Sequence, residues 1–224
     1  MKGWLIYAAK DIARNASYID WFIQEGRKQD VTLELVKREE LSIGFTNGTA
    51  QIVRANRSGP LPDFVIVRTV DPLLQYFFET KDVLTFNNYN VSLLTNDKRR
   101  TYIELAKLGI PLLTTYFYVK TALPEKNPLA FPFVVKEAFG RSGKQVHLIT
   151  NQLEWQQVKE KLQSNELIVQ EANVQLGKDV RVFVIGKEIV AAVLRSNEKD
   201  FRANFSLGGS ATLYPLSHEE KMMI

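Results

Sequence analysis

The sequence predicts an α/β chain in which a small, mostly parallel α/β domain precedes a part built from antiparallel strands. Three observations carry this prediction. Strand and helix signals alternate across residues 1–94. An apolar strand ending in Lys136 runs into a small-residue loop and out into a second strand, Gln145–Ile149. Gly186-Lys187 then joins two further apolar runs by a two-residue turn, which only antiparallel strands accept.

In the first part, Trp4–Ala8 reads as a strand. Asn15 is the expected cap of a helix on which Tyr18, Ile19, Trp21 and Phe22 recur at helical spacing, with Gly26 as its stop. Val31–Val36 is a second strand, and Asn47-Gly48 marks a hairpin within Ile43–Ile52. Phe64–Val67 is a near-continuous apolar run, as expected of a central parallel strand. Asp71 and Pro72 then open a helix as N-cap and first helical residue. Arg68, just past the carboxyl end of its strand, lies where open α/β sheets place ligands.

Thr95–Pro111 reads as a helix with Thr95 or Asn96 as cap, Gly109 as stop and Pro111 beyond, and it marks a domain boundary. Lys98 and Arg99 oppose the helix dipole in its first turn, a cost that a nearby anion would reverse. Phe133, Val134 and Val135 carry Lys136 to the end of a rigid strand. Gly140, Ser142 and Gly143 then let backbone N–H groups approach an anion, with Arg141 and Lys144 adding charge. A Walker loop is excluded, because Ala138 and Gln145 stand where its first glycine and its hydroxyl residue belong. An ordinary glycine-containing hairpin with a surface lysine would read the same from this segment alone. Asn151 caps a further helix with Glu154 in a box-like position, leading to the strand Leu167–Gln170.

On the strand before Gly186, alternation places Val180, Val182 and Val184 on one face, and Asp179, Arg181 and Phe183 on the other. Val190 and Ala192 of the returning strand are expected beside Phe183 and Arg181, making a covered face that contains charge. Arg195 ends that strand. Arg202 and Asn204 alternate with Ala203, so a guanidinium fork and an amide point together. Gly208-Gly209-Ser210 is a second loop able to approach a ligand.

Composition bounds what such a site serves. With 224 residues and 45% hydrophobic content the chain can bury a core. It has no cysteine, hence no disulfide framework or thiolate site, which agrees with a reducing compartment; the cytoplasm is the expected location. The first apolar run is broken by Lys10 and Asp11, too early for a signal-peptide core or a membrane span. A net charge of +4 arises from 29 basic and 25 acidic residues that are interleaved. Without an aromatic-basic motif or a basic helix, no nucleic-acid partner is expected, and the surplus suits an anionic small ligand.

Asn96-Asp-Lys-Arg-Arg100, the Val134-Val-Lys136 strand with its loop, Val169-Gln-Glu171, Gly177-Lys-Asp-Val-Arg181, Val190-Ala-Ala192 and Phe201-Arg-Ala-Asn204 with Gly208-Gly209 follow one another in a specific order. In that order they resemble ATP-grasp ligases, most closely the RimK-type α-L-glutamate ligases, from Asp63 to Glu220. The resemblance implies an N-terminal α/β domain at 1–94, a linking helix and central lid at 95–172, and part of a C-terminal ATP-grasp domain at 173–224, with ATP between two antiparallel sheets. Lys98 and Lys136 would hold phosphates, aided by Gly140, Ser142 and Gly143. Gln170, Glu171 and Ala172 would form the hinge against adenine and ribose, Asp179 would contact nucleotide or substrate, and Arg202, Ala203 and Asn204 would complete the nucleotide contacts. Arg181, Arg195, Arg202 and Asn204 would surround the transferred phosphate. The implied cofactors are ATP and Mg²⁺ or Mn²⁺. The implied reaction joins glutamate or another amino acid to a peptide or small-molecule carboxylate through an acyl phosphate. A protein or peptide C-terminus is among the acceptors so implied, a membrane is not, and homo-oligomerisation stays open.

The pattern departs from that family at the metal. ATP-grasp enzymes hold magnesium through an aspartate and a Glu-x-Asn pair on late strands, and no such segment follows Arg202. Glu171-Ala-Asn173 matches by spacing but sits at the hinge, so no metal ligand is assigned. Ser217-His-Glu-Glu220 begins a capping box and the sequence stops at Ile224; the expectation is a truncated product or a further tail of about 70–90 residues. A nucleotide-binding remnant without turnover is the alternative reading, and a basic interaction module the third.

Overall fold

The structure, a computed structural model, describes residues 1–141, 143, 145–204 and 208–224, so Ser142 and Lys144 lie outside the described residues. The chain forms two compact units, Met1–Asn96 and Asp97–Ile224.

The first unit runs β1 (Lys2–Tyr7), α1 (Ala9–Ile12), α2 (Ala16–Arg27), β2 (Thr32–Lys37), β3 (Leu41–Thr46), β4 (Thr49–Arg54), β5 (Phe64–Val67), α3 (Pro72–Glu79), β6 (Leu84–Phe86) and α4 (Tyr89–Asn96). Its sheet has the order β2-β1-β5-β6, every pair parallel. The apolar runs of β1 and β5 are buried on both faces because helices cover both. Ile6 and Val65 pack with Leu74, Phe77 and Phe78 of α3, while Leu5 and Tyr7 pack with Ile19 of α2. Asn47 and Gly48 both take positive φ, 50° and 73°, turning β3 into β4. Asp71 caps α3 by accepting from the Leu74 N–H at 3.0 Å.

Two helix boundaries differ from the sequence reading. Helical structure already begins at Ala9 and a 3₁₀ turn, Ala13–Asn15, leads into α2, so the Asn15 amide donates back to the Asp11 carbonyl at 2.6 Å and caps nothing. The helix then runs one residue past Gly26. Thr95 and Asn96 are not caps either. They end α4, with side chains bonded back to the Val91 and Ser92 carbonyls.

The second unit runs α5 (Lys98–Lys107), β7 (Thr115–Val119), β8 (Phe133–Glu137), β9 (Val146–Ile149), α6 (Gln152–Lys161), β10 (Glu166–Glu171), β11 (Lys178–Ile185), β12 (Glu188–Ser196), β13 (Ser210–Leu213) and α7 (His218–Met222). One antiparallel sheet has the order β7-β10-β8-β9 and a second the order β11-β12-β13. In the first, Phe133, Val135, Leu167 and Val169 point to α6 and meet Trp155, Val158 and Leu162. Trp155 is fully buried and its indole N–H donates to the Pro124 carbonyl at 3.1 Å. Because β-strand side chains alternate, Lys136 and Gln170 fall on the face away from α6.

The second sheet lacks the covered face expected of it. Phe183 is 46% exposed, Val184 47% and Val190 53%. The register also differs: Arg181 pairs with Val193 and Phe183 with Ala191, and a bulge after Phe183 shifts the pairing toward the turn. Val190 and Ala192 therefore do not flank Phe183 and Arg181, whereas Asp179 stands directly opposite Arg195.

Candidate functional site

Helix α5 and strand β8 together position the two lysines. Asp97 caps α5 by accepting from the Arg99 N–H at 3.0 Å, and the Lys98 N–H docks on the Ala138 carbonyl at 3.2 Å. The Lys98 ammonium then donates to the carbonyls of Glu137 at 3.3 Å, Ala138 at 3.2 Å and Gly140, and so braces the start of the loop. Burial lowers its pKa below the usual lysine value, and the positive charges of Lys136 and Arg141 lower it further. The two ammonium groups thus feel each other.

Lys136 donates to Gln170 Oε1 at 2.5 Å and to the Tyr102 hydroxyl at 3.1 Å. Among the described residues neither lysine has a carboxylate within ion-pair distance, although the charges of Asp97 and Glu137 act on Lys98 from farther away. Two neighbouring cations raise the local positive potential.

At the end of β10, Gln170 and Ala172 are buried, and the Glu171 N–H is bonded to the Thr114 carbonyl at 3.0 Å. Glu171 is partly exposed at the end of β10.

The arginines of the second sheet are held differently. Arg195 grips Asp179 bidentately, Nε to Oδ1 at 2.7 Å and Nη2 to Oδ2 at 2.6 Å. Arg202 grips Asp200 in the same way, at 2.9 and 2.6 Å, and its Nη1 donates to the Gly143 carbonyl at 2.6 Å. Asn204 reaches the same glycine: a Cβ on Gly143 would lie 3.3 Å from both Arg202 Cδ and Asn204 Oδ1. The structure therefore brings Gly143, Arg202 and Asn204 together, with Ala203 buried between the last two. Arg181 shares a face with Asp179 and Arg195 but is exposed. Gly209 approaches the chain itself, since a Cβ there would sit 3.0 Å from the Ser196 carbonyl oxygen and 3.2 Å from those of Ala203 and Asn204.

Three side chains escaped the sequence reading. Tyr102 lies one helical turn after Lys98, and that i, i+4 spacing is the signal that would have found it. Asp200 stands two residues before Arg202, where an aspartate both accepts the backbone N–H of Arg202 at 2.9 Å and orients its guanidinium. Thr115 fixes Gln170 and carries no sequence signal at all. His147 sits in β9, where burial lowers its pKa. In the first unit, Arg68 donates to the Tyr7 hydroxyl at 3.3 Å and lies over the Tyr18 ring.

A lysine-bearing antiparallel sheet joined by its loop to an arginine-bearing one defines the ATP-grasp class of fold. The chain superposes on D-alanine–D-alanine ligase from Bacillus anthracis with a TM-score of 0.67 at 15% identity, covering 98% of this chain and 73% of that one. Residues 95–224 match the RimK-like ATP-grasp domain, and the chain belongs to that family. It is 25% identical over 220 residues to N-acetylaspartylglutamate synthase A of Homo sapiens, covering 89% of this chain and 56% of that protein. It is 31% identical over 153 residues to a probable alpha-L-glutamate ligase of Haemophilus ducreyi, covering 66% of this chain and 50% of that protein. The chain spans about half the length of the curated relatives it matches. Among the described residues no helix is long and apolar enough to cross a membrane.

Proposed function

We propose that this chain binds ATP and forms the nucleotide-holding part of an ATP-dependent carboxylate–amine ligase. The observation that supports it best is the pair of lysines, Lys98 and Lys136, gathered on α5 and β8 with no carboxylate within ion-pair distance among the described residues. In this reading Lys98, Lys136, Gly140 and Gly143 serve the phosphates. Gln170, Glu171 and Ala172 border the base, Asp179 contacts nucleotide or substrate, and Arg181, Arg195, Arg202 and Asn204 line the transferred phosphate from the second sheet. Residues 1–94 form the N-terminal domain, 95–172 the linking helix and lid, and 173–224 part of the C-terminal domain.

The reaction so proposed has two steps. A substrate carboxylate oxygen attacks the γ-phosphorus and the bond to the β,γ-bridging oxygen breaks, giving an acyl phosphate and ADP. An amine nitrogen then attacks the acyl carbon, inorganic phosphate leaves, the amine loses a proton and an amide remains. Guanidinium groups positioned in advance stabilise the charge that develops on the phosphoryl oxygens. The names of the relatives favour an amino acid such as glutamate as one substrate, with a small-molecule or peptide carboxylate as the other. A reducing, cytoplasmic compartment suits a chain without cysteine. Among the described residues no three His, Cys, Asp or Glu converge on one point, so no metal ligand is assigned and no step is routed through a metal. Nucleotide binding without turnover is the second reading.

Thermal unfolding with and without ATP tests the proposal. ATP should raise the midpoint, and Lys136→Ala should remove most of that rise. An undiminished shift in the variant would sink the assignment. ADP release in the presence of candidate amino acids then separates ligase from non-catalytic binder.

A further inference from the structure

We infer that Tyr102 is a positioning residue that, together with Gln170, holds the Lys136 ammonium poised for an anion. The inference rests on the reading of Lys136 as a phosphate ligand. A lysine ammonium has three N–H donors on a flexible stem. Two of them are accounted for, by Gln170 Oε1 at 2.5 Å and the Tyr102 hydroxyl at 3.1 Å, which leaves one for a ligand. Both acceptors are neutral. The charge is held in place without being cancelled, unlike that of Arg195 or Arg202, each of which faces a carboxylate.

The two acceptors are themselves fixed. Gln170 is buried, and its amide orientation follows from its other end: Nε2 donates to Thr115 Oγ1 at 2.8 Å, and that hydroxyl donates to the Leu113 carbonyl at 2.8 Å. Oε1 therefore has to face the lysine. The Tyr102 ring stacks nearly parallel on Phe117, with centroids 6.5 Å apart and planes 8° off, and its hydroxyl reaches Gln170 Oε1 at 3.4 Å. Tyr102 stands one turn beyond Lys98, so the helix that braces the loop through one residue steadies the strand lysine through the other. A lysine serving the fold alone would gain more from a carboxylate. Two neutral acceptors anchored on β10 and α5 are what pre-organisation for an incoming anion requires.

Calorimetric titration with ATP in the presence of Mg²⁺ tests this on the unaltered chain, Tyr102→Phe, Lys136→Ala and the double variant. Tyr102→Phe keeps the ring and its stacking and removes one hydrogen bond to a charged group, so ATP should bind roughly tenfold more weakly. In the Lys136→Ala background the same change should have no further effect, an outcome that a purely structural tyrosine would not produce. If Lys136→Ala weakens binding and Tyr102→Phe does not, the positioning role is overturned and the reading of Lys136 survives. Equal losses from Tyr102→Phe in both backgrounds overturn it as well. If the unaltered chain does not bind ATP, the inference and the reading on which it rests both fail.

Discussion

Arg202 donates through Nη1 to the backbone carbonyl of Gly143 at 2.6 Å, which ties the loop after β8 to the segment after β12. The contact joins the two antiparallel sheets of the second unit through one guanidinium whose other edge is occupied by Asp200. It also limits what position 143 can be. Gly143 has φ of 72°, and a Cβ would press on Arg202 Cδ and Asn204 Oδ1, both at 3.3 Å. Gly143→Ala should cost about 1–2 kcal/mol of stability from backbone strain and crowding. Urea unfolding of the two chains measures it, and a difference below about 0.3 kcal/mol would show that the loop is not held in this way.

Asp200 makes the same strap pH-dependent. Its hydrogen bonds with the Arg202 guanidinium, and then with the Arg202 backbone N–H, hold its carboxyl down at about 2. A carboxyl depressed in the folded state adds stability that is complete above its unfolded pKa, about 3.9, and is lost as pH falls through the folded value. Asp200→Asn should therefore lower stability at pH 7 by roughly 0.5–1 kcal/mol, since the pair is partly screened by water. The two chains should converge as pH approaches 2. Parallel guanidinium titrations at pH 7 and near pH 2.5 check this, and a gap that persists undiminished at the lower pH contradicts it.

The elements legible in the sequence were those set by local rules. Asp71 and Asn151 each cap a helix through the N–H three residues on, and Asn47-Gly48 turns the hairpin. Lys136 could be placed on a strand because Phe133, Val134 and Val135 leave few other options. What escaped depended on partners distant in sequence or on neighbours competing for one role. Thr95 and Asn96 are good caps by type, yet a helix ahead of them claims both and passes the role to Asp97. Alternation assigns Asp179, Arg181 and Phe183 to one face, but neither the bulge after Phe183 nor the exposure of that sheet is written in the strand itself. Tyr102 has its spacing from Lys98 as a local signal, but its partner Gln170 comes 68 residues later and no local rule joins the two.

Gln170→Glu should separate fold from ligand affinity. The substitution is nearly isosteric and would set a carboxylate against the Lys136 ammonium, now 2.5 Å from the amide oxygen. The charge that the neutral amide leaves available would then be cancelled inside the protein. ATP affinity should fall tenfold or more while far-ultraviolet circular dichroism and cooperative unfolding are retained. Undiminished ATP affinity in calorimetry would mean that the free charge of Lys136 is not what recruits the nucleotide.

Asp97 resolves the cluster of cations at the start of α5. Lys98, Arg99 and Arg100 would all oppose the helix dipole if left alone. The Asp97 carboxylate, only 6% exposed, accepts from the Arg99 N–H at 3.0 Å, pairs with the Arg99 guanidinium at 2.7 Å and lies 3.8 Å from Arg100 Nε. The hydrogen bonds from the Arg99 side chain pull its pKa below the usual carboxylate range despite burial. Asp97→Ala removes the cap and leaves three cations facing the dipole, which should cost about 2–3 kcal/mol. Asp97→Asn keeps an acceptor for the Arg99 N–H and gives up the ion pair, so it should cost about half as much. Because a depressed carboxyl loses its contribution as pH falls through its folded value, both deficits should shrink in acid, the alanine deficit less than the asparagine one since a missing cap cannot be restored by protonation. Denaturant midpoints for the three chains between pH 7 and pH 2.5 measure these differences, and equal costs for the two variants at pH 7 would place the whole effect in the charge and none in the cap.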